Sequence, residues 1–489
     1  MIYDVLPAVL PQVRSVVPSP SASQDLAAFA SRPELRFPPL ARSRAADAIV
    51  DCVGCVLAGL AEPVADVLSR VIAVGAPGAR LAGSSGSASP MDAALFHGAL
   101  AHAIDYDDTN HPAYAHPSAV LVPALLAVAD EAHASGAELV TAYIVGFQVF
   151  GKLGRVLNFA HYQRGWHATG TFGALAASVA VGRLLRLGAD QLTAAVGIAA
   201  SSASGLRVNF GSMVKPLHAG LAARNGVLAA LLARNGMDSS VGALDDQYGF
   251  FDVFNDGIAQ DRASLGDWAT PLEILTVNGL ALKPFPACGA THTAIEAAID
   301  LHERVDATTI DRVVVRVTRR AFAPLIHAHP ATPLEAKFSM QFCVAAALCD
   351  GRVDLATFSH EKLDDPLIRS MRERVTVVED ESLPDATEFP ASVEIATRDG
   401  RSHSQMVPLA MGKPGRWFSE QQLRDKFVTC ARQVMSATDA DSMFRSIRHA
   451  DQSRPVSELF QPLWDADARK SATAKPASDQ RRAARGCAD

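Results

Sequence analysis

Residues 97–120, HGALAHAIDYDDTNHPAYAHPSAV, contain the densest group of ionisable side chains in the sequence, with four histidines and three aspartates. Histidine exchanges protons near neutral pH, and a carboxylate orients a proton carrier or binds a cation. Because the three carboxylates of DYDD repel one another, they cost stability unless cationic groups, a metal ion or solvent offset them. The segment therefore indicates a binding or catalytic site. The structural alternative is that Asp and Asn cap a helix and that His-Pro marks a bend.

Three further segments place polar residues in apolar or Gly/Pro-rich surroundings: HYQRGWHATG with His167, GSMVKPLHAG with Lys215 and His218, and LKPFPACGATHT with Lys283, Cys288 and His292. Taken singly, such a histidine is more often a hydrogen-bonded core residue, and such a lysine usually extends to solvent. Two lysines and several histidines around one acidic loop suit a small polyanion better than a core. The third segment lies where two domains should join, and clefts between domains are preferred ligand sites.

The elements that must position these residues are mostly helices. Apolar residues before Asp105 recur at helical spacing, whereas Pro112 and Pro117 disfavour a helix, so a helix should run into the acidic loop. From Asp25 to about Gly279 the pattern predicts an all-α region. Its clearest apolar faces cover residues 49–60, 119–133, 137–153, 170–187, 189–204 and 219–235.

After Lys283 the pattern changes. Valine alternates with polar residues over 312–318, short strand-like runs cover 374–378, 392–397 and 401–407, and helices are predicted at 293–304, 340–349, 419–435 and 437–449. Asp399-Gly400 between the last two strands predicts a type I′ hairpin. Thr293 and Glu296 form a capping-box pattern.

These elements predict a mainly α protein with a smaller α+β domain. An N-terminal arm covers 1–24, and a large, discontinuous helical domain covers 25–279 and 408–464. A smaller α+β lid domain covers 280–407, and the charged tail 465–489, poor in large apolar residues, should be disordered.

Bulk properties exclude several classes. The chain has 489 residues, 49% of them hydrophobic, and a net charge of −7, which argues against a nucleic-acid partner. No apolar run reaches the roughly twenty residues of a membrane span, and the first residues lack the basic region of a signal peptide. Seven cysteines, mostly in apolar helical patterns, read as reduced thiols, so a cytoplasmic protein is expected.

Six stretches carry a family resemblance: HAIDYDDT with the following HPSA, GWHATGTFGALAAS, GSMVKPLHAGLAARNG, YGFFDVF, KPFPACGATHTAIEAA, and KF after PGRWFSEQQL. In this order along about residues 25–440, they resemble the MmgE/PrpD family, which includes 2-methylcitrate dehydratase, cis-aconitate decarboxylase and iminodisuccinate epimerase.

The resemblance implies a helical domain with an α+β lid, a homodimer, and an active site between the domains that uses no cofactor and no metal. Position by position, it implies the site residues Asp105, Thr109, His116, His167, Lys215 and Lys283. Cys288 and Phe342 stand where cis-aconitate decarboxylase has a histidine and a tyrosine. KPFPACGATHT also differs from the usual 2-methylcitrate dehydratase segment.

The expected activity is therefore that of a lyase of the dehydratase or hydratase type, acting on a small di- or tricarboxylate by proton abstraction beside a carboxylate. An epimerase of an iminodisuccinate-like acid and a cis-aconitate-type decarboxylase are alternatives. We assign His116 as the acid/base, Asp105 as the group that orients it or another proton carrier, and Lys215 and Lys283 as cations that stabilise the developing charge. Thr109 should bind a carboxylate and His167 act as the second polar partner. Cys288 and His292 should contact substrate.

Other classes fit the sequence less well. His102, Asp107, Asp108 and His111 are also capable of binding a metal ion, but no HExxH motif supports a metal hydrolase. An iron–sulfur hydratase needs several thiolates, whereas the CxxC pair Cys52/Cys55 lies in an amphipathic helix. No GxSxG indicates a serine hydrolase. A non-enzymatic helical scaffold would leave the four polar segments without a purpose.

Overall fold

The computed structural model describes residues 20–75, 78–255, 265–383, 389–449 and 453–465. Nearly all of the predicted arm and tail lie outside these ranges. The first helix begins at Ala22, three residues before the predicted start. Its start is set by a capping box, in which the Ser21 side chain accepts from the Gln24 backbone and the Gln24 side chain accepts from the Ser21 N–H.

The described residues are mainly helical. The helices are α1 (Ala22–Ala30), α2 (Pro39–Gly59), α3 (Pro63–Ser69), α4 (Pro90–Ala103), α5 (Ser118–Ala129), α6 (Gly136–Leu157), α7 (Ala160–Gln163), α8 (Ala168–Leu184), α9 (Ala189–Ser201), α10 (Val214–Arg234), α11 (Phe250–Phe254), α12 (His292–His302), α13 (Pro333–Ala336), α14 (Met340–Asp350), α15 (His360–Asp364), α16 (Pro366–Arg372), α17 (Glu420–Ala431), α18 (Ala437–Arg448), α19 (Val456–Leu459) and α20 (Gln461–Trp464). The strands are β1 (Ala79–Arg80), β2 (Ser87–Ala88), β3 (Thr109–Asn110), β4 (Leu280–Ala281), β5 (Ile310–Val317), β6 (Val375–Glu379), β7 (Ala391–Thr397) and β8 (Ser402–Val407). The predicted class, mainly α with a smaller α+β part, is confirmed.

The four long strands form one sheet in the order β6-β5-β7-β8, with β5 and β6 parallel and the other neighbours antiparallel. The β7–β8 hairpin is present, but its predicted type I′ turn is wrong. A type I′ turn needs two residues with positive φ, whereas only Gly400 (φ 86°) has one. The Gly400 N–H donates to the Thr397 carbonyl and the Thr397 N–H to that of Arg401, which gives a three-residue loop.

The predicted capping box of α12 is also wrong. The residue before the helix is Thr291, whose hydroxyl donates to the Cys288 carbonyl instead of capping. The Glu296 carboxylate faces the chain after β8, where it accepts from the Met411 N–H and pairs with Arg416 at 2.8 Å. The Glu296 side chain, which local spacing assigned to a helix cap, therefore binds residues far away in the sequence.

Two apolar cores organise the molecule. The larger packs α1–α6, α8–α11 and α17–α20 together, and the smaller lies between β5–β8 and helices α12, α14 and α16. Because almost all residues of the smaller core fall within 287–407, we keep the division at 280 and 407 as a proposal. Among the described residues, no single helix is both long and apolar enough to cross a bilayer, although α2 and α3, bent by 79°, pass that test as a pair.

Helices α4 and α10 cross where two glycines meet. A Cβ built on Gly98 would lie 2.8 Å from the Gly220 Cα, and one built on Gly220 would lie 2.3 Å from the Leu95 carbonyl oxygen. Neither distance leaves room for a methyl group. The crossing therefore brings the C-terminal half of α4 and the N-terminal half of α10 close together.

The helical pattern of the large region predicted no strands there, but the region contains short ones. Strand β3 pairs antiparallel with β4, so that Thr109 faces Ala281 and Asn110 faces Leu280, and β1 and β2 form a second short pair. Two-residue strands give no alternating pattern to detect. The β3–β4 pair places Lys283, two residues beyond β4, beside the acidic loop.

Candidate active site

The acidic loop begins where α4 ends. Ala103 is the last helical residue, and Asp105 has a left-handed backbone, with φ 54°. Aspartate tolerates this region better than most residues, but a non-glycine residue there is held by its surroundings. The turn directs the Asp105 side chain towards lysines from two other segments.

Both lysines pair with the same carboxylate. Lys215 Nζ lies 2.6 Å from Asp105 Oδ1, and Lys283 Nζ lies 3.0 Å from Oδ2. All three side chains are at most 5% exposed. Although burial opposes its charge, the two lysines hold the pKa of Asp105 well below its usual range. With both lysines protonated, two ammonium groups share one carboxylate and one positive charge remains in excess.

A hydrogen-bonded chain continues from Lys215 into the protein. His102 Nε2 lies 2.7 Å from Lys215 Nζ, and His102 Nδ1 lies 2.9 Å from both oxygens of Asp107. Because a carboxylate accepts and an ammonium donates, Nδ1 carries the proton and Nε2 accepts from Lys215. Burial lowers the pKa of His102 and of Lys215.

His116 presents its other nitrogen to the site. Its Nδ1 lies 3.0 Å from the Asp108 carbonyl oxygen and 3.4 Å from Asp107 Oδ2, which assigns the proton to Nδ1 and the lone pair to Nε2. Burial, then the nearby His102 and the two lysines, lower the pKa of His116 well below its usual range. His116 is therefore a neutral imidazole, able to accept a proton.

Asp108 behaves unlike Asp105, although only two residues separate them. Its Oδ1 accepts the Ser118 backbone N–H at 2.9 Å, and the side chain is fully buried. Burial and the neighbouring Asp107 raise the pKa of Asp108 to about 8. Asp108 thus holds the loop against the start of α5.

His167 precedes α8 and lies beside α10. Its Nδ1 is 3.0 Å from Nδ1 of His218, which stands one turn after Lys215. Burial and the nearby Lys215 lower the pKa of His167 well below its usual range. The two rings therefore form a neutral pair in which one nitrogen donates and the other accepts.

Asp105, His116, His167, Lys215 and Lys283 line one cavity. The lining includes seven of the eight predicted site residues: Asp105, Thr109, His116, His167, Lys215, Lys283 and Cys288. It also includes Lys413, His111, and the aromatic side chains of Tyr114, Tyr162, Phe210, Phe338 and Phe389. Burial raises the pKa of Cys288 to about 11, so this thiol is neutral.

His292, the eighth predicted residue, does not line the cavity. Its Nε2 bonds the Ala287 carbonyl oxygen at 3.0 Å, and its side chain is buried behind the cavity wall. The expected direct contact with substrate is therefore replaced by a contact that holds the 287–292 turn. Phe342 is likewise fully buried in α14 and outside the lining.

Four side chains of the loop could also serve as metal ligands: His102, Asp105, Asp107 and His116 offer atoms within 4.8 Å of one another. The Lys215 ammonium, however, lies within 2.7 Å of donor atoms on two of them. A metal ion at this point would meet that positive charge. The donor set as folded therefore suits an ammonium group better than a metal ion.

Sequence reasoning missed several residues of the site. It gave His102 and Asp107 no role beyond metal binding, although both lie in HAIDYDDT, and the pairing of His102 with Lys215 spans 113 residues. Lys413 gave no local signal, since it follows a glycine in an irregular segment. Only the fold brings these groups together.

The sequence matches the MmgE/PrpD N-terminal domain over residues 24–262 and the MmgE/PrpD C-terminal domain over residues 285–451. The chain belongs to the MmgE/PrpD family, as its motifs predicted.

The sequence is similar to proteins named cis-aconitate decarboxylase and 2-methylcitrate dehydratase. Cis-aconitate decarboxylase of Homo sapiens is 27% identical over 386 residues, 76% of this chain and 78% of the relative. Cis-aconitate decarboxylase of Aspergillus terreus is 27% identical over 455 residues, covering 86% and 91%. 2-Methylcitrate dehydratase of Cupriavidus necator is 27% identical over 397 residues, covering 76% and 80%. The predicted class, an enzyme of this family, is confirmed.

Proposed function

We propose that this protein is a lyase of the dehydratase or hydratase type, acting on a small di- or tricarboxylate without a cofactor. One observation carries the proposal: the ammonium groups of Lys215 and Lys283 converge at the cavity end that also holds the neutral His116. This arrangement suits removal of a proton from the carbon beside a carboxylate. The names of the relatives, cis-aconitate decarboxylase and 2-methylcitrate dehydratase, point to the same substrate class.

In this proposal the substrate carboxylate lies against Lys215 and Lys283. Proton removal from the adjacent carbon moves negative charge onto oxygens that are already anionic, so cations placed in advance lower the barrier. One such contact contributes on the order of 3 kcal/mol. Thr109, at the cavity wall, donates a further hydrogen bond to the carboxylate.

His116 Nε2 takes the proton, since its lone pair is free while Nδ1 is bonded to the Asp108 carbonyl. General base catalysis of this kind contributes roughly 10²–10⁴ in rate. The leaving hydroxyl needs a proton donor, and we assign this role to Lys215. His102 accepts one N–H of Lys215, and Asp107 accepts the Nδ1–H of His102, so that the ammonium group stays directed at the cavity.

Lys413 supports a substrate with more than one carboxylate. It lines the same cavity and is only 8% exposed. A third lysine in the wall suits a second or third carboxylate of the same molecule, which we place there.

Decarboxylation is the second candidate, because relatives with that name align over up to 86% of this chain. Cys288, a neutral thiol where the resemblance has a histidine, weighs against it. The test is turnover of 2-methylcitrate, citrate, cis-aconitate and iminodisuccinate, followed by proton NMR in heavy water. New alkene signals from a citrate support the dehydratase, and loss of carboxylate from cis-aconitate supports the decarboxylase. Deuterium uptake without net product supports an epimerase, and no change in any acid rejects the proposal.

The Lys215→Met variant is the control for this panel, because methionine keeps the length of the side chain without its charge. It should abolish turnover of the preferred acid. The homodimer implied by the family resemblance stays a prediction, which light scattering of the purified protein tests.

A further inference from the structure

Three consecutive backbone carbonyls of the acidic loop each accept a hydrogen bond from a different buried lysine. Lys337 Nζ donates to Ile104 at 2.8 Å, Lys283 Nζ to Asp105 at 2.8 Å, and Lys426 Nζ to Tyr106 at 2.8 Å. The lysines are 6%, 1% and 7% exposed, respectively. They come from three remote parts of the chain, so the arrangement exists only in the folded protein.

The carbonyls need partners because of where they lie. Helix α4 ends at Ala103, so the carbonyls of Ile104, Asp105 and Tyr106 lie just beyond it and have no donor within the helix. The left-handed φ of Asp105 then turns the chain away from any continuation of the helix. Positive side chains are favoured at this end of a helix, since its dipole is negative there. Three ammonium groups satisfy three carbonyls in a stretch with no other regular structure.

Two of the lysines are themselves held in place. Lys426 Nζ lies 2.6 Å from Asp51 Oδ1 in α2 and 4.0 Å from the centre of the Tyr106 ring. Lys337 Nζ also donates to the Pro286 carbonyl at 3.0 Å, and the backbone carbonyl of Lys337 accepts the N–H of Cys288. Lys337 thus connects the loop of Asp105 to the cavity wall that carries Cys288.

We propose that Lys337 and Lys426 are positioning residues. They hold the carbonyls of Ile104 and Tyr106, on either side of the Asp105 carbonyl held by Lys283, and thereby fix the direction of the Asp105 carboxylate. Neither is in the cavity lining, so both act through Asp105. If the turn relaxes, Asp105 leaves Lys215 and Lys283, and the ammonium groups lose their alignment with the substrate. A misplacement of about 1 Å at such a site costs up to roughly 100-fold in rate.

The test uses the full-length variants Lys337→Met and Lys426→Met. The matched control is Lys152→Met, because Lys152 is also buried (2% exposed) and also donates to two backbone carbonyls, those of Leu265 and Thr270, but does not line the cavity. Two measurements are made on each variant: steady-state kinetics with the best acid of the panel, and amide hydrogen exchange over residues 103–110. The kinetic arm rests on the proposed function, whereas the exchange arm does not.

We expect the two test variants to lower kcat by about tenfold or more, with KM within about threefold, because the groups that act in the transition state are misaligned. Exchange should accelerate over 103–110 and stay unchanged in helices remote from the loop. Lys152→Met should lower thermal stability without changing kcat or exchange in the loop.

Other outcomes overturn the inference. Near-normal kcat with normal exchange at 103–110 removes any positioning role. Exchange that accelerates equally along the whole chain makes the lysines general stabilisers. If the wild-type protein converts no acid of the panel, the proposed function fails and hydrogen exchange alone decides the positioning role.

Discussion

A first part of the cavity wall comes from residues 105–215 and includes Asp105, His116, His167 and Lys215. Buried hydrogen bonds join Lys215 to Asp105 and His102. A second part of the wall, from residues 288–389, includes Cys288, Ala290, Pro324, Phe338 and Phe389, which carry no charge. The difference separates two tasks. We expect substitutions in the first wall to change the rate of the chemical step and those in the second to change which acid is converted.

The strongest test of this separation is the His116→Ala variant. In the proposed mechanism the lone pair of His116 accepts the proton, so kcat should fall at least about 100-fold while KM changes little. His302→Ala, which removes a histidine bonded to the Leu348 carbonyl outside the cavity lining, is the control. Steady-state kinetics with circular dichroism checks both, and near-normal turnover of His116→Ala would remove this residue from the mechanism.

Lys413 sharpens the comparison, since it adds a charge from the chain after β8. Lys413→Met should raise KM for a tricarboxylate by about tenfold, the loss expected for one charge-assisted hydrogen bond, with kcat nearly unchanged. KM for a dicarboxylate should change less. Lys413→Arg keeps the charge and should retain most of the affinity. Equal loss for both acids, or a loss in kcat alone, would contradict a role in binding the additional carboxylate.

Asp108 tests whether the buried charges of the first wall make stability depend on pH. Its folded pKa is about 8, against about 3.9 when unfolded. Between these values the folded state holds a proton that the unfolded state lacks, so stability falls as pH rises from about 4 to 8 and levels off above that. Asp108→Asn cannot ionise. Relative to it, the wild type should lose more than about 1 kcal/mol between pH 5 and pH 8, as measured by urea unfolding. Parallel pH curves for the two proteins would refute the assignment.

Cys288 gives the smallest expected effect and the clearest test of selectivity. Since the resemblance has a histidine here in cis-aconitate decarboxylase, Cys288→His should shift the ratio of kcat/KM from a citrate towards cis-aconitate by about threefold or more. Cys288→Ser, similar in size, should leave the ratio nearly unchanged. A collapse of kcat for every acid would break the proposed division between the walls.

Much of the fold followed from local pattern. The helical face over residues 49–60, which lies almost wholly in α2, was predicted, and so were β5 and the β7–β8 pair. The errors came where a distant residue outcompeted a local signal. Glu296, expected at a cap, bonds the chain after β8, 115 residues away.

The site residues show the same limit on prediction from sequence. Asp105, His116 and Lys215 could be found because each lies in a segment with unusual polar content. Lys337 and Lys426 could not be given a function, because their carbonyl partners are 233 and 320 residues away. The spacing of apolar residues shows only which face of a helix is apolar. In the sequence, a lysine that donates to a distant buried carbonyl therefore looks the same as a surface lysine.

The close contact of Gly98 with Gly220 has a consequence for laboratory evolution of this enzyme. The reach of Lys215 to His102 depends on how near α10 comes to α4, and that spacing is set by two residues without side chains. In a library that varies these helices freely, we expect many inactive members in which one added methyl group separates Lys215 from His102. Holding both glycines constant while varying residues 288–389 would direct the search to substrate choice.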